Sequence, residues 1–242
     1  GSSDRLKFAL PERSHQSEIL AMSLATSVTR LDTSTGVAID DPLPDTVLLA
    51  FLRGEGAGPK GRVLDEVHAF DMVRMEKEHD FIQWLFPTDE PSQFVEVPLL
   101  TETLQLVARD DKVILSSVRR SLDIFLAFLG LRIVSAPGEW LVKKANFQQR
   151  KKVCWTVTCA EGNHNWRRIS RVLKSLNLFG LEAEARALFL CLERLWTTGS
   201  IPRFAEKTMV FWRDAAGMGD RSIPKYNAKA TTACCLPKSG RL

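Results

Sequence analysis

The chain has 242 residues, 45% of them hydrophobic and 26% charged, a balance that fills a sizeable core without disulfide staples and excludes a disordered polymer. Its net charge of +4 permits an anionic partner without requiring one. No apolar run approaches the roughly 18 residues that a membrane-spanning helix needs, and no secretory signal is visible.

Helical periodicity dominates and alternating strand patterns are scarce. The sequence therefore predicts an all-α protein: a single compact multi-helix domain with polar extended N- and C-terminal tails. Ser14 opens a helix expected over residues 14 to 31, carrying Ile19, Leu20, Leu24, Val28 and Leu31. Gly36, Pro42 and Pro44 break the chain after it. A short helix is expected from about Asp45 to Leu52, followed by the flexible loop RGEGAGPKG. The clearest helix runs from Asp111 to Leu129. Asp110 or Asp111 is suited to accept from the free N–H groups of its first turn, and Gly130 to end it in the left-handed conformation. Its stripe is Ile114, Val118, Leu122, Phe125, Leu126 and Leu129.

Asn163 or Asn165 caps the next helix, which stops before Gly180. Another follows from about Leu181 to Thr197 with Leu188, Phe189, Leu192, Leu195 and Trp196 inward. Pro202 suits the first turn of a last helix carrying Phe204, Phe211 and Trp212. After Gly217 the sequence is polar and aperiodic. This divides the chain into an N-terminal extension with one helix (1–44), a helical domain (45–216) and a polar tail (217–242).

The stretch HDFIQWLFP, His79 to Pro87, packs Phe81, Ile82, Trp84, Leu85 and Phe86 around one turn that Pro87 ends. These side chains point in several directions, so the segment reads as a buried knot, and Gln83 then has to find hydrogen-bond partners. The functional reading of the same residues is a groove with Trp84 as a wall. His79 is placed to cap the turn or to pair with Glu76 or Glu78.

A second stretch, NHNWRRISRVLKSLNLFGLE, spans Asn163 to Glu182. On its helix Trp166, Ile169, Val172 or Leu173, and Leu176 form an apolar stripe, with Arg167, Arg168, Arg171 and Lys174 mostly on other faces. Lys143, Lys144, Arg150, Lys151 and Lys152 precede it. From 143 to 174 nine basic residues stand against the single acid Glu161, a charge of +8 that leaves −4 for the rest of the chain. Phe147, Trp155 and Trp166 interleave with these cations, a composition that suits RNA or another polyanion. The alternative is that several of the arginines pair internally with the acidic stretch from Asp65 to Glu90.

Enzyme signatures are missing, and the chain is read as non-catalytic. In GEGAGPKG, Lys60 lacks the preceding Gly and the following Ser or Thr of a phosphate-binding loop. No carboxylate pair and no nucleophile turn stands out. Cys154, Cys159 and His164 give a C-x4-C-x4-H spacing without a fourth zinc ligand. The five cysteines, with Cys234 and Cys235 adjacent, show no disulfide framework and read as free thiols of a reducing, intracellular compartment. The chain starts at Gly1 without Met. Either Gly1-Ser3 is a tag scar or a transit peptide has been removed, which points to a plastid or mitochondrion. No cofactor is expected, except that in a pigment-bearing complex His68 or His79 would be the tetrapyrrole ligand.

HDFIQWLFP, DIFLAFLGL and the Asn163–Glu182 stretch, in this order and spacing, resemble the conserved region of the opioid growth factor receptor family over about residues 45 to 213. The resemblance implies a fold more than an activity. The favoured function is a binding or scaffold domain, an accessory subunit of a larger assembly with other protein subunits as partners. RNA binding through the 143–174 segment comes second. A peptide receptor like the family's namesake, with a groove near Trp84, comes third. The binding candidates are Trp84, Arg150, Lys151, Lys152, Trp166, Arg167, Arg168, Arg171 and Lys174.

Overall fold

Leu48, Phe51 and Leu52 fall on one side of a helical turn, and in the computed structural model they are fully buried in α1 (Pro44–Arg53), the first helix among the described residues. The structure describes residues 28–31, 38–41, 44–92, 97–136, 139–158, 163–202 and 206–219. It is predominantly helical. Two strands precede α1: β1 (Val28–Leu31) and β2 (Ala38–Asp41) pair antiparallel, Val28 opposite Asp41. The helix expected over 14 to 31 is corrected at this end, where four residues extend into a strand. Residues 14 to 27 lie outside the described residues.

Three short helices follow, α2 (Leu64–His68), α3 (Met72–Lys77) and α4 (Phe81–Leu85). Asp71 caps α3 by accepting from Arg74 N at 2.7 Å. Helix α5 (Glu102–Asp110) starts at Thr101, whose Oγ1 accepts from Leu104 N.

Helix α6 (Lys112–Leu129) is the central element. Asp111 Oδ1 accepts from Val113 N at 2.9 Å and Ile114 N at 3.1 Å, while its Oδ2 accepts from Arg53 Nε at 2.7 Å. Burial opposes the charge, but the Arg53 bond and the two main-chain donors hold the Asp111 carboxyl below the usual range. The apolar stripe expected on this helix, from Ile114 to Leu129, is wholly buried. Each of its large side chains contributes about 2–3 kcal/mol relative to exposure. Gly130 ends the helix at φ 79°.

The chain then makes a hairpin the sequence did not suggest: β3 (Leu131–Ala136) pairs antiparallel with β4 (Glu139–Lys144), Leu131 opposite Lys144. Helix α7 (Phe147–Cys154) returns against α6, and a Cβ on Gly130 would stand 2.7 Å from Phe147 Cα. Helices α8 (His164–Leu178), α9 (Glu182–Thr197) and α10 (Glu206–Ala215) pack on one another, and α9 also covers β4. Asn163 caps α8, with its side chain accepting from Asn165 N at 3.0 Å. Residues 203–205, which would join Pro202 to α10 and include Phe204, lie outside the described residues. On α10 Trp212 is fully buried while Phe211 is 68% exposed. Among the described residues no helix is long and apolar enough to cross a membrane.

Candidate functional site

The two signature stretches meet. Phe81, Ile82, Leu85 and Phe86 are buried in the same core as Trp166, Ile169, Leu173 and Leu176. Trp84, 9% exposed, lies at the edge of this core with its ring against Phe51 in an edge contact at 5.3 Å. Gly58 seals the pair: a Cβ there would stand 2.5 Å from the Phe51 ring and 3.0 Å from that of Trp84. Gln83 is buried as well, but its Oε1 finds no hydrogen-bond partner among the described residues, contrary to expectation.

Helix α8 aims its cations back at the first stretch because residues three and four apart share a helix face. Arg168 is buried and donates to the Met75 carbonyl at 2.8 Å, the Glu78 carbonyl at 2.7 Å, Asn165 Oδ1 at 3.0 Å and, at 3.2 Å, His79 Nδ1. Burial pulls this guanidinium down to about 10 with Glu76 opposing, so it stays charged at neutral pH. One turn on, Arg171 donates to Phe86 O at 3.3 Å and Thr88 Oγ1 at 3.1 Å. Lys174 closes the row with ion pairs to Asp89 and Glu90, both at 2.6 Å. Internal pairing, the alternative to RNA binding, is therefore what these three residues do. Its detail differs from a simple match of charges: Arg168 and Arg171 take main-chain carbonyls, and Lys174 alone of the three takes carboxylates.

The remaining candidates are spread out. Trp166 is buried, its indole N–H donating to Cys154 O at 3.1 Å and its ring in an edge contact with Trp212. Trp155 and Phe147 are buried too, Trp155 donating to Leu129 O at 2.8 Å. None of the three can stack a nucleobase, which corrects the expectation drawn from their spacing, because each ring fills core. Arg150 is half-buried and donates to Phe128 O at 2.7 Å. Arg167 and Lys152 are exposed and Lys151 half-buried.

The histidines are tied in as well. His68 is buried, with Nε2 2.8 Å from Ser121 Oγ, so no face of it is open to a macrocycle. His79 lies beside His164, ring centroids 5.7 Å apart, and His164 Nε2 is 3.2 Å from Glu76 Oε1. Among the described residues no group of three or more His, Cys, Asp or Glu is placed to hold a metal ion. Cys154 of the C-x4-C-x4-H spacing is buried against Phe128 O, and Cys159 lies outside the described residues, as do Cys234 and Cys235.

A second charged cluster carries no such sequence signature. Arg62 donates to Asp80 Oδ1 at 2.8 Å and lies 3.4 Å from Glu78, and Lys60 reaches Asp80 at 3.0 Å and Glu78 at 3.3 Å. Burial works against the Asp80 charge, but the Arg62 and Lys60 bonds hold its carboxyl below the usual range. Arg62 also lies over the Phe70 ring. The acids of the first stretch are thus answered from the loop before it as much as from α8. The only hint in the chain is the KGR triplet, Lys60 to Arg62, ahead of an acidic run.

With this geometry established, comparison with known proteins gives the family. The family model described as the opioid growth factor receptor (OGFr) conserved region matches residues 49–216. The chain belongs to that family. It is 30% identical over 145 residues to human opioid growth factor receptor, a match covering 57% of this chain and 20% of the relative. It is also 30% identical over 132 residues to opioid growth factor receptor-like protein 1 of mouse, covering 52% and 26%. The matched region thus spans about a fifth of the length of the first of these proteins and about a quarter of the second. No solved structure matches the chain.

Proposed function

We propose that the chain is a non-catalytic protein-binding module, an accessory or scaffold subunit of a larger assembly. The observation that carries this reading is the internal use of the family signature. Arg168, Arg171 and Lys174 all end on the segment from Met75 to Glu90, and the aromatic side chains between them fill core. Groups spent in this way hold a rigid frame and leave recognition to the surface it presents. Relatives bear the name receptor, which fits binding as the shared activity. Purification from the native source followed by size-exclusion chromatography tests it: a larger complex is expected, and a lone monomer of about 27 kDa overturns it.

A second reading, polyanion binding, is favoured by Lys143, Lys151 and Lys152, which have no ion-pair partner among the described residues. Salt-dependent retention of an oligoribonucleotide checks it, since phosphate contacts weaken as counterions compete. An intracellular setting accompanies both readings. The buried free thiols of Cys154 and Cys191, pushed by burial up to about 11, suit a reducing compartment. Imaging of a tagged full-length chain tests the location.

A further inference from the structure

We propose that the outer face of the β3–β4 hairpin, where Arg132 and Lys143 flank Val134 and Leu141, docks an acidic, aliphatic segment of a partner protein. This deepens the binding-module reading and rests on it.

The register defines the face. Directly opposite residues in an antiparallel pair lie on the same side, and alternate residues repeat it. Arg132 faces Lys143 and Val134 faces Leu141, so these four share one side. The other side carries Leu131, Ile133 and Val142, which pack on the core. Val134 and Leu141 are half-buried and do not join that packing. They form an aliphatic strip beside two exposed cations.

Like charges placed directly opposite on a sheet repel and weaken it. Arg132 and Lys143 carry this penalty with no hydrogen bond or ion pair to relieve it among the described residues. Glu139 stands four residues from Lys143 along β4, about 13 Å away at strand spacing. An external carboxylate near Arg132 and Lys143 would remove the repulsion, and an aliphatic side chain on the same segment would cover Val134 and Leu141. The sheet has two strands, so an extended segment also finds unpaired edge groups to bond.

Charge complementarity selects this occupant over two others. A nucleic acid would gain from the cations but leave the aliphatic pair uncovered, and the rings of Phe147, Trp155 and Trp166 are buried away from any base. A second copy docking by two-fold symmetry would bring this positive face against itself.

The test uses the full chain and a fluorescein-labelled peptide of alternating Glu or Asp with Leu or Val, read by fluorescence anisotropy. Arg132→Glu with Lys143→Glu is expected to weaken binding about tenfold or more and to create binding to the matching Lys/Leu peptide. Val134→Ser with Leu141→Ser is expected to weaken the acidic peptide while leaving its salt dependence unchanged. Circular dichroism confirms that each variant folds. Equal peptide affinity in the charge-reversed variant overturns the proposal. So does tighter binding of oligouridylate than of the peptide, or a concentration-dependent dimer that the charge reversal abolishes. The two levels separate in a native pull-down. Partners retained by the charge-reversed variant as by the wild type remove the hairpin assignment and keep the binding module, whereas no partner on the wild type removes the broader reading.

Discussion

Arg168 donates to the Glu78 main-chain carbonyl across 2.7 Å, although the two residues are 90 apart in sequence. The same guanidinium holds the Met75 carbonyl, so one side chain of α8 satisfies two main-chain acceptors at the end of α3. This is the bolt between the two family stretches.

Removing the bolt is expected to be costly. Arg168→Ala leaves buried carbonyls without donors and a void beside Phe81, and should destabilise the fold by about 3–5 kcal/mol. Arg168→Lys should recover only part of this, because a single ammonium cannot span two carbonyls as a fork does. Urea unfolding followed by far-UV circular dichroism measures both. A loss below about 1 kcal/mol for the alanine variant would show that Arg168 is not a structural anchor.

Acid sensitivity should trace in part to His68. Ser121 gives its hydroxyl proton to Ser117 O at 2.9 Å, so His68 Nε2 carries the hydrogen and donates to Ser121. Nδ1 is left buried and, among the described residues, without a partner. Burial, and then Arg120, lower this histidine from 6.5 to about 4, with Asp65 opposing. The unfolded chain takes up the proton below about 6.5 and the folded one only near 4. Stability therefore falls as pH falls through that window, by roughly 2–3 kcal/mol, and is unaffected by this group above it. Unfolding free energies across the window should show a shallower slope in His68→Leu than in the wild type.

Gly130→Ala should cost about 2–4 kcal/mol. The residue sits at φ 79°, where an L side chain is strained, and the added Cβ would lie 2.7 Å from the Phe147 main chain. Thermal unfolding reports it as a lower midpoint.

Trp166→Phe keeps most of the ring but removes the indole donor to Cys154 O. A loss of about 1–3 kcal/mol is expected, larger than the volume change alone explains. Lys151→Ala with Lys152→Ala makes the contrast, with a stability change within about 0.5 kcal/mol. Chemical denaturation of the wild type and both variants side by side checks this ranking.

Several elements are legible in the amino-acid sequence because their signals are local. Asp111 and Gly130 bracket α6, Asn163 opens α8, and the 3.6-residue stripe from Ile114 to Leu129 marks the buried face. The β3–β4 hairpin is not legible in this way. Ile133 and Val134 are adjacent, as are Trp140, Leu141 and Val142, so apolar residues fall on both faces and the two-residue period is lost. Helices α2 to α4 have five or six residues each, too few to show a period.

At the site, the meeting of the two stretches follows from their apolar content, and the shared core bears it out. The assignment of the cations is not available in the same way. Nine basic residues between 143 and 174 look alike in sequence, yet Arg168 is buried on carbonyls, Lys174 holds two acids, and Lys152 faces solvent. The residues themselves determined that helices would form, where the main ones stop, and which sides turn inward, since caps and periodicity act within a turn or two. Only the tertiary structure decided which charges are spent inside and which remain on the surface, because a guanidinium's partner is fixed by distances across the fold and not by its neighbours along the chain.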